Sequence, residues 1–233
     1  MPLPISNAEH IYRNMRRSII NGELPPGERL LIRAICEQFG TSSSPVIEAI
    51  RRLEQEGLVV SRQNAGAQVQ EWSAQDVVRS YLTREAVDGM AARLFVKFAT
   101  DDQRMKLSEL NEGYHQAARS KNLALVLEAD TAYHTHIIQC TLPLPMQKAM
   151  ESIYAITMTF YCNNPLTPIS FDENVHDDMT DALVGDDTER AYCSVQEDVE
   201  AKLRRLVELG IANQKDIPAF VRSGGVLMEA SSV

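Results

Sequence analysis

Apolar and polar positions alternate in three helical stretches, then with a short two-residue period, then helically again for most of the remaining chain. In residues 8–20, Ile11, Met15 and Ile19 recur at helical spacing while Arg13, Arg16 and Arg17 fall largely elsewhere, which predicts a first amphipathic helix. The run NGELPPG, Asn21 to Gly27, breaks it, because its prolines and glycines favour a turn or short extended arm. Leu30, Ala34, Ile35 and Phe39 supply the buried side of a second helix, and Gly40 suits a left-handed cap at its end. After a tight Thr41-Ser42-Ser43 link, Ser44 is placed to cap a third helix and Pro45 to occupy its first turn. Val46, Ala49, Ile50 and Leu53 form the packing face of this helix, with Ile47, Arg51 and Glu54 on the other. Gly57 stops it. Residues 58–61, a turn over 62–66 and residues 67–70 predict a small hairpin.

Beyond Trp72 strand signals nearly vanish. Ser73 with Asp76 matches a capping box, and helices are expected at about 74–97, 101–119, 122–140, 145–162, 169–185 and 187–210. Breaks at Pro143, Pro145, Pro165 and Pro168 make this an antiparallel helical bundle. The expected fold is mainly α, with an N-terminal winged helix-turn-helix domain over 1–72 and an all-α domain over 73–213. A mobile tail is expected over 214–233.

Composition sharpens this picture. The 233 residues are 44% hydrophobic and 24% charged, as in ordinary globular proteins. No apolar run approaches the ~18 residues of a membrane span and no signal sequence opens the chain, so no membrane partner and a cytoplasmic location are expected. Cys36, Cys140, Cys162 and Cys193 lack C-x-x-C spacing and are expected as buried thiols. The net charge of −9 lies entirely beyond residue 72, since residues 1–72 hold eight Arg and eight Glu. That acidity argues against broad nonspecific nucleic-acid binding and leaves room for a neutral module with local arginines.

Three helices, a tight turn before the third, and a hairpin place the third helix where it enters a major groove of double-stranded DNA. Ser42, Ser43 and Ser44, with the helix N-terminus, can meet phosphate, and Ile47 can meet a thymine methyl. Arg33, Arg51 and, in the wing, Arg62 supply positive charge. The competing reading leaves Arg51 and Arg52 as a solvated face and Ile47 packed against a neighbour.

The run GELPPGERL, then SPVIEAIRRLEQEGLV and the late Gly66, resembles the DNA-binding domain of GntR-type bacterial transcription regulators. The resemblance implies operator contact by these elements, Gly66 included. Where the family usually carries arginines this chain has Ser43 and Ile47, and where it carries an acid, Ile32. A different or weaker operator is therefore expected.

In the second half, Asp130 and His134 stand four apart in EADTAYHTHII and share one helix face with apolar neighbours. A carboxylate facing a core is costly unless it is paired or bound to a cation. His176, opening HDDMTDAL, and Asp198, in VQEDVEAKL, would complete a metal site built from three helices. A buried ion pair, or plain surface residues, is the alternative. Residues 77–210 resemble the all-α effector domain of FadR-type GntR regulators, called FCD, through REAVDGMAA, D-x-x-x-H and H-x-x-M-x-x-A-L. The resemblance implies that Asp130, His134 and His176 hold a divalent metal, with zinc, nickel, iron or manganese all possible. It puts Asp198 where a histidine is usual, with Glu197 as fallback, and Arg84 on the effector's carboxylate. Otherwise Arg84 pairs with Asp88 at i+4. His115 and His136 are read as non-ligands.

The function implied is a homodimeric regulator that binds a small carboxylate effector at the metal and a DNA operator through its winged domains. The rival readings are a sensor that has lost sequence-specific DNA binding and, further off, a metal-dependent enzyme.

Overall fold

The computed structural model describes residues 6–62, 66–164, 172–213, 215 and 217. Its chain divides into two units, Met1–Ser73 with Glu151–Pro165, and Ala74–Met150 with Leu166–Val233.

In the first unit, α1 (Asn7–Ile20) is capped by the Ser6 side chain, which accepts from the Glu9 N–H. Strand β1 (Arg29–Leu30) precedes α2 (Ile32–Phe39), which ends at Gly40 with φ +61°, the left-handed cap expected there. Helix α3 (Ser43–Gln55) follows, then β2 (Val59–Arg62) and β3 (Gly66–Val69). The three strands form an antiparallel sheet in the order β1-β3-β2, with Leu30 opposite Ala67 and Val59 opposite Val69. Of the turn expected over 62–66, Arg62 and Gly66 instead pair as the ends of β2 and β3, and 63–65 lie outside the described residues. Ile11 and Ile19 of α1, Val46, Ala49 and Leu53 of α3, and Leu58 and Val69 of the hairpin make the core. Each large member contributes about 1.5–3 kcal/mol by leaving water. Helix α7 (Leu144–Asn163) starts among residues of the second unit, and Ala155 in its later part joins this core.

Two sequence expectations change here. Ser42, not Ser44, is the extended residue before α3, and its side chain makes no capping bond. Pro45 tolerates this earlier start, because the first four helical N–H groups have no partner within the helix and proline loses nothing there. Leu30 belongs to β1, not to α2, and is held by its pairing with Ala67.

The second unit contains α4 (Ala74–Phe98), α5 (Asp101–Ser120), α6 (Leu123–Thr141), α8 (Asp177–Val184) and α9 (Thr188–Glu208). Thr100 and Gln103 close a capping box at the start of α5, and the Asp187 carboxylate accepts from two N–H groups opening α9. Helix α4 packs on α9 and α6, α5 on α6 and α8, and α8 on α9. The helix expected from 169 begins only at Asp177. Residues 173–176 form turns, in which Asp172 accepts from the Asn174 N–H, and 165–171 lie outside the described residues. Arg104 secures the far end of α8 by donating to the Leu183 and Gly185 carbonyls, each at 3.0 Å. Most of the expected tail, 214–233, is also outside the described residues.

All four cysteines are free. Contrary to expectation none is fully buried, and Cys193 is exposed on α9.

Candidate functional site

The first unit presents α3. Its packing residues Val46, Ala49, Ile50 and Leu53 are buried, and the same periodicity turns Ser44, Glu48 and Arg51 outward. Ser42, Ser43 and Ser44 are exposed at its N-terminus, where unpaired N–H groups and the helix dipole favour an anion. Arg51 is exposed and has no ion pair among the described residues, whereas Ile47 is half-buried. Arg62 and Gly66 are exposed at the tip of the β2–β3 hairpin, Gly66 with φ +76°. Arg33 is exposed on α2 and its Nε donates to Glu37 at 3.0 Å.

Arg52 is held differently. Its guanidinium donates to Glu9 at 2.7 Å and lies 3.8 Å from the centre of the Tyr12 ring. Tyr12 donates in turn to Glu56, which also accepts from Arg16 at 2.9 Å. Burial, reinforced by Glu56, pushes the Tyr12 hydroxyl up to about 12. Arg52 thus belongs to a partly exposed polar seam joining α1 to α3 and is not a free cation of the presented face. Sequence reasoning missed the seam because its partners are some 40 residues apart.

In the second unit the structure brings together Asp130 and His134 from α6, His176 just before α8, and Asp198 from α9. Donor atoms of Asp130, His134 and His176 all lie within 4.8 Å of one another. Nε2 of His176 is 3.4 Å from Asp130 Oδ1, and Nε2 of His134 is 3.8 Å from that oxygen and 3.3 Å from Asp198 Oδ2. Donors held at ~2.1 Å from one tetrahedral centre are themselves ~3.4 Å apart, so the spacing suits a divalent ion.

The surroundings fix His176 firmly. Its ring is fully buried, stacked on Tyr133 with centroids 4.4 Å apart and tilted against Tyr114 at 4.3 Å. Tyr133 is itself anchored through its hydroxyl to Thr180 at 2.8 Å. The next residue, Asp177, accepts from Asn111 at 2.7 Å and lies 2.8 Å from His115 Nε2, tying the start of α8 to α5. Burial lowers the His176 pKa and favours the neutral, ligating imidazole. His176 Nδ1 and Asp198 Oδ1 have no hydrogen-bond partner among the described residues. Unsatisfied buried donors and acceptors are costly, and a bound cation would satisfy the acceptors. The donor set therefore fits a divalent metal.

Lys202, one turn after Asp198, enters the same cluster. Its ammonium donates to Asp130 Oδ1 at 3.0 Å and Asp198 Oδ2 at 2.8 Å. Burial opposes all three charges, but mutual attraction outweighs it: Lys202 holds both carboxyls far below the usual range, and they hold its own pKa above normal. The D-x-x-x-K spacing of Asp198 and Lys202 is visible in the sequence, yet it looks like any helix-surface pair. Arg84 is buried and donates through Nε to Asp88 at 3.1 Å, as the i+4 spacing allowed. It is close enough to Lys202 for its charge to weigh against the ammonium. His136 faces away, with Nε2 2.9 Å from the Gln103 carbonyl.

Comparison with known proteins matches both units. Residues 7–69 match the family model described as bacterial regulatory proteins, gntR family, and residues 79–201 match the FCD domain. The chain is 27% identical over 189 residues to a probable D-xylose utilization operon transcriptional repressor of Paenarthrobacter nicotinovorans, covering 79% of this chain and 82% of that one. It is 26% identical over 209 residues to the HTH-type transcriptional repressor RspR of Escherichia coli K12, covering 85% and 89%. Among solved structures, McbR/YncC of E. coli superposes with a TM-score of 0.72 at 20% identity, covering 88% of this chain and 98% of that one. A structure from Rhodococcus sp. RHA1, described as a putative transcriptional regulator GntR, gives 0.72 at 21%, covering 86% and 97%. These two establish the likeness of fold.

Proposed function

The chain belongs to the GntR family of bacterial regulatory proteins and carries an FCD domain, and from that premise we propose that it is a metabolite-responsive DNA-binding regulator. Its matched relatives are transcription regulators, not enzymes, and no helix among the described residues is long and apolar enough to cross a membrane. The finer reading is that the second unit senses a small carboxylate at a divalent metal, and that a homodimer presents two winged units to a pseudo-palindromic operator. The observation that carries it is the Asp130, His134 and His176 donor group, gathered within 4.8 Å around a fully buried histidine.

In this reading Asp130, His134 and His176 hold the ion, Asp198 is the fourth ligand, and Tyr133 and Tyr114 keep the His176 ring in place. A bound divalent ion would supply a Lewis-acidic anchor for one carboxylate of the effector. Arg84 contributes a guanidinium that never loses its charge at neutral pH, with Asp88 fixing its orientation. On the DNA side, the serines at the α3 N-terminus position the protein on phosphate, Arg51 and Arg62 add charge, Arg33 shares its charge with Glu37, and Ile47 reads an apolar base edge. Coupling requires only that effector binding favour one separation of the two DNA-reading helices over another.

The test is metal analysis of purified protein beside the His134→Ala and Asp198→Ala variants, followed by DNA binding with and without small carboxylates. Metal bound by the wild type and lost in both variants supports the ligand assignment; unchanged metal in both contradicts it.

A further inference from the structure

Lys202 has no task in a metal centre, yet it sits in one. Its ammonium bonds the same two carboxylate oxygens, Asp130 Oδ1 and Asp198 Oδ2, that face the histidines and would meet a divalent ion. An ion at ~2.1 Å from those oxygens and an ammonium at 2.8–3.0 Å from them cannot both be accommodated without close contact between like charges. The exposures show which group can leave. The Asp198 side chain is 4% exposed and that of Asp130 15%, but that of Lys202 is 23%, and its four-carbon stem can carry the charge to water.

Resting on the metal-site reading, we propose that Lys202 is a resident counter-ion: it holds the carboxylate pair while no metal is bound and must withdraw before a divalent ion is seated. The metal affinity of the site is then set by Lys202 as much as by its donors. Charge bookkeeping agrees. Two carboxylates and one ammonium leave a net negative cluster, whereas two carboxylates and a divalent ion are neutral and release the ammonium as an additional cation. A structural salt bridge with no bearing on the metal is the competing account.

The experiment uses the full chain, stripped with a chelator and titrated with Zn²⁺ and separately Mn²⁺ against a chromophoric competitor. Wild type, Lys202→Met and Lys202→Arg are compared, with His134→Ala added to the first two. The expected result is that Lys202→Met binds metal roughly 10-fold or more tighter than wild type, the scale set by removing one charge a few ångström from the ion. Lys202→Arg, which keeps the charge, should stay near wild type, and His134→Ala should abolish binding in both backgrounds. If wild type binds and Lys202→Met binds equally or more weakly, the counter-ion role is overturned while the metal site stands. If neither binds, the metal-site reading falls and takes the inference with it. Should Lys202→Met fail to fold without metal, Lys202→Gln, which keeps a hydrogen-bond donor, is read by the same criteria.

Discussion

Removing the Lys202 charge from metal-free protein should be costly. Lys202→Met leaves the Asp130 and Asp198 carboxylates without their ammonium, in a site where their side chains are 15% and 4% exposed. Breaking a buried ion pair by deleting one partner typically costs ~3–5 kcal/mol, because the stranded charge has lost both water and its counter-ion. The partly exposed Lys202 stem lets water approach, and His134 and His176 lie within 3.3–3.8 Å of the same oxygens, so the lower end applies. For a protein of this size about 3 kcal/mol corresponds to a fall in Tm of roughly 6–12 °C. Calorimetry at neutral pH with excess chelator measures it. Adding Asp198→Asn to Lys202→Met removes one stranded charge and should restore about half of the loss, a non-additivity expected of groups in contact. A Lys202→Met variant within about 0.5 kcal/mol of wild type would show that the ammonium does not hold the two carboxylates, since substitutions remote from any such network have effects of that size.

Adjacent arginines of α3 should separate function from stability. Arg51→Ala should weaken DNA binding and reduce its salt slope by about 1, as loss of one phosphate contact does. Arg52→Ala should instead lower stability by about 1 kcal/mol, a figure that allows for screening of its half-exposed pair with Glu9, and leave the salt slope unchanged. Fluorescence anisotropy across a salt series, beside urea melts, distinguishes them. Ile47→Arg adds a cation to the presented face and should raise DNA affinity at low salt; no gain would count against α3 as the docking face. Burial, with the nearby Glu200 carboxylate, raises the Glu85 pKa even though Gln196 donates to it. A carboxyl raised in the folded state loses stability as pH climbs through that folded value. Glu85→Gln should therefore be more stable than wild type at pH 8, and the difference should vanish well below the ordinary carboxylate pKa.

What the sequence made legible follows from the range of each interaction. Helical periodicity reports which residues face a core, so α1, α3, α4, α5, α6 and α9 lie within a few residues of their expected places. Strand β1 was invisible because two residues, Arg29 and Leu30, are held extended only by a partner strand nearly 40 positions away. Helix α3 begins two residues earlier than Ser44 and Pro45 suggest, because Pro45 is compatible with any place in the first turn. At the candidate metal site, i,i+4 spacing was enough to put Asp130 and His134 on one face. Resemblance, not periodicity, singled out His176 and Asp198. Nothing local foretold that Tyr133 and Tyr114 would pack the His176 ring, or that Lys202 would turn inward instead of lying on the surface. Both are products of how α5, α6, α8 and α9 meet, and burial of that kind is a tertiary property.

The account rests on a buried donor cluster whose occupancy alters DNA binding, and one titration addresses it most directly. A duplex selected from a random pool by the metal-loaded protein is titrated by anisotropy in the presence of individual small mono- and dicarboxylates, with wild type and His134→Ala in parallel. The account predicts that at least one acid shifts the wild-type dissociation constant by about 5-fold or more, the usual scale of allosteric coupling, and that the shift disappears in His134→Ala. An acid that shifts both proteins equally would contradict it, as would a wild type whose DNA affinity is indifferent to every acid and to removal of the metal.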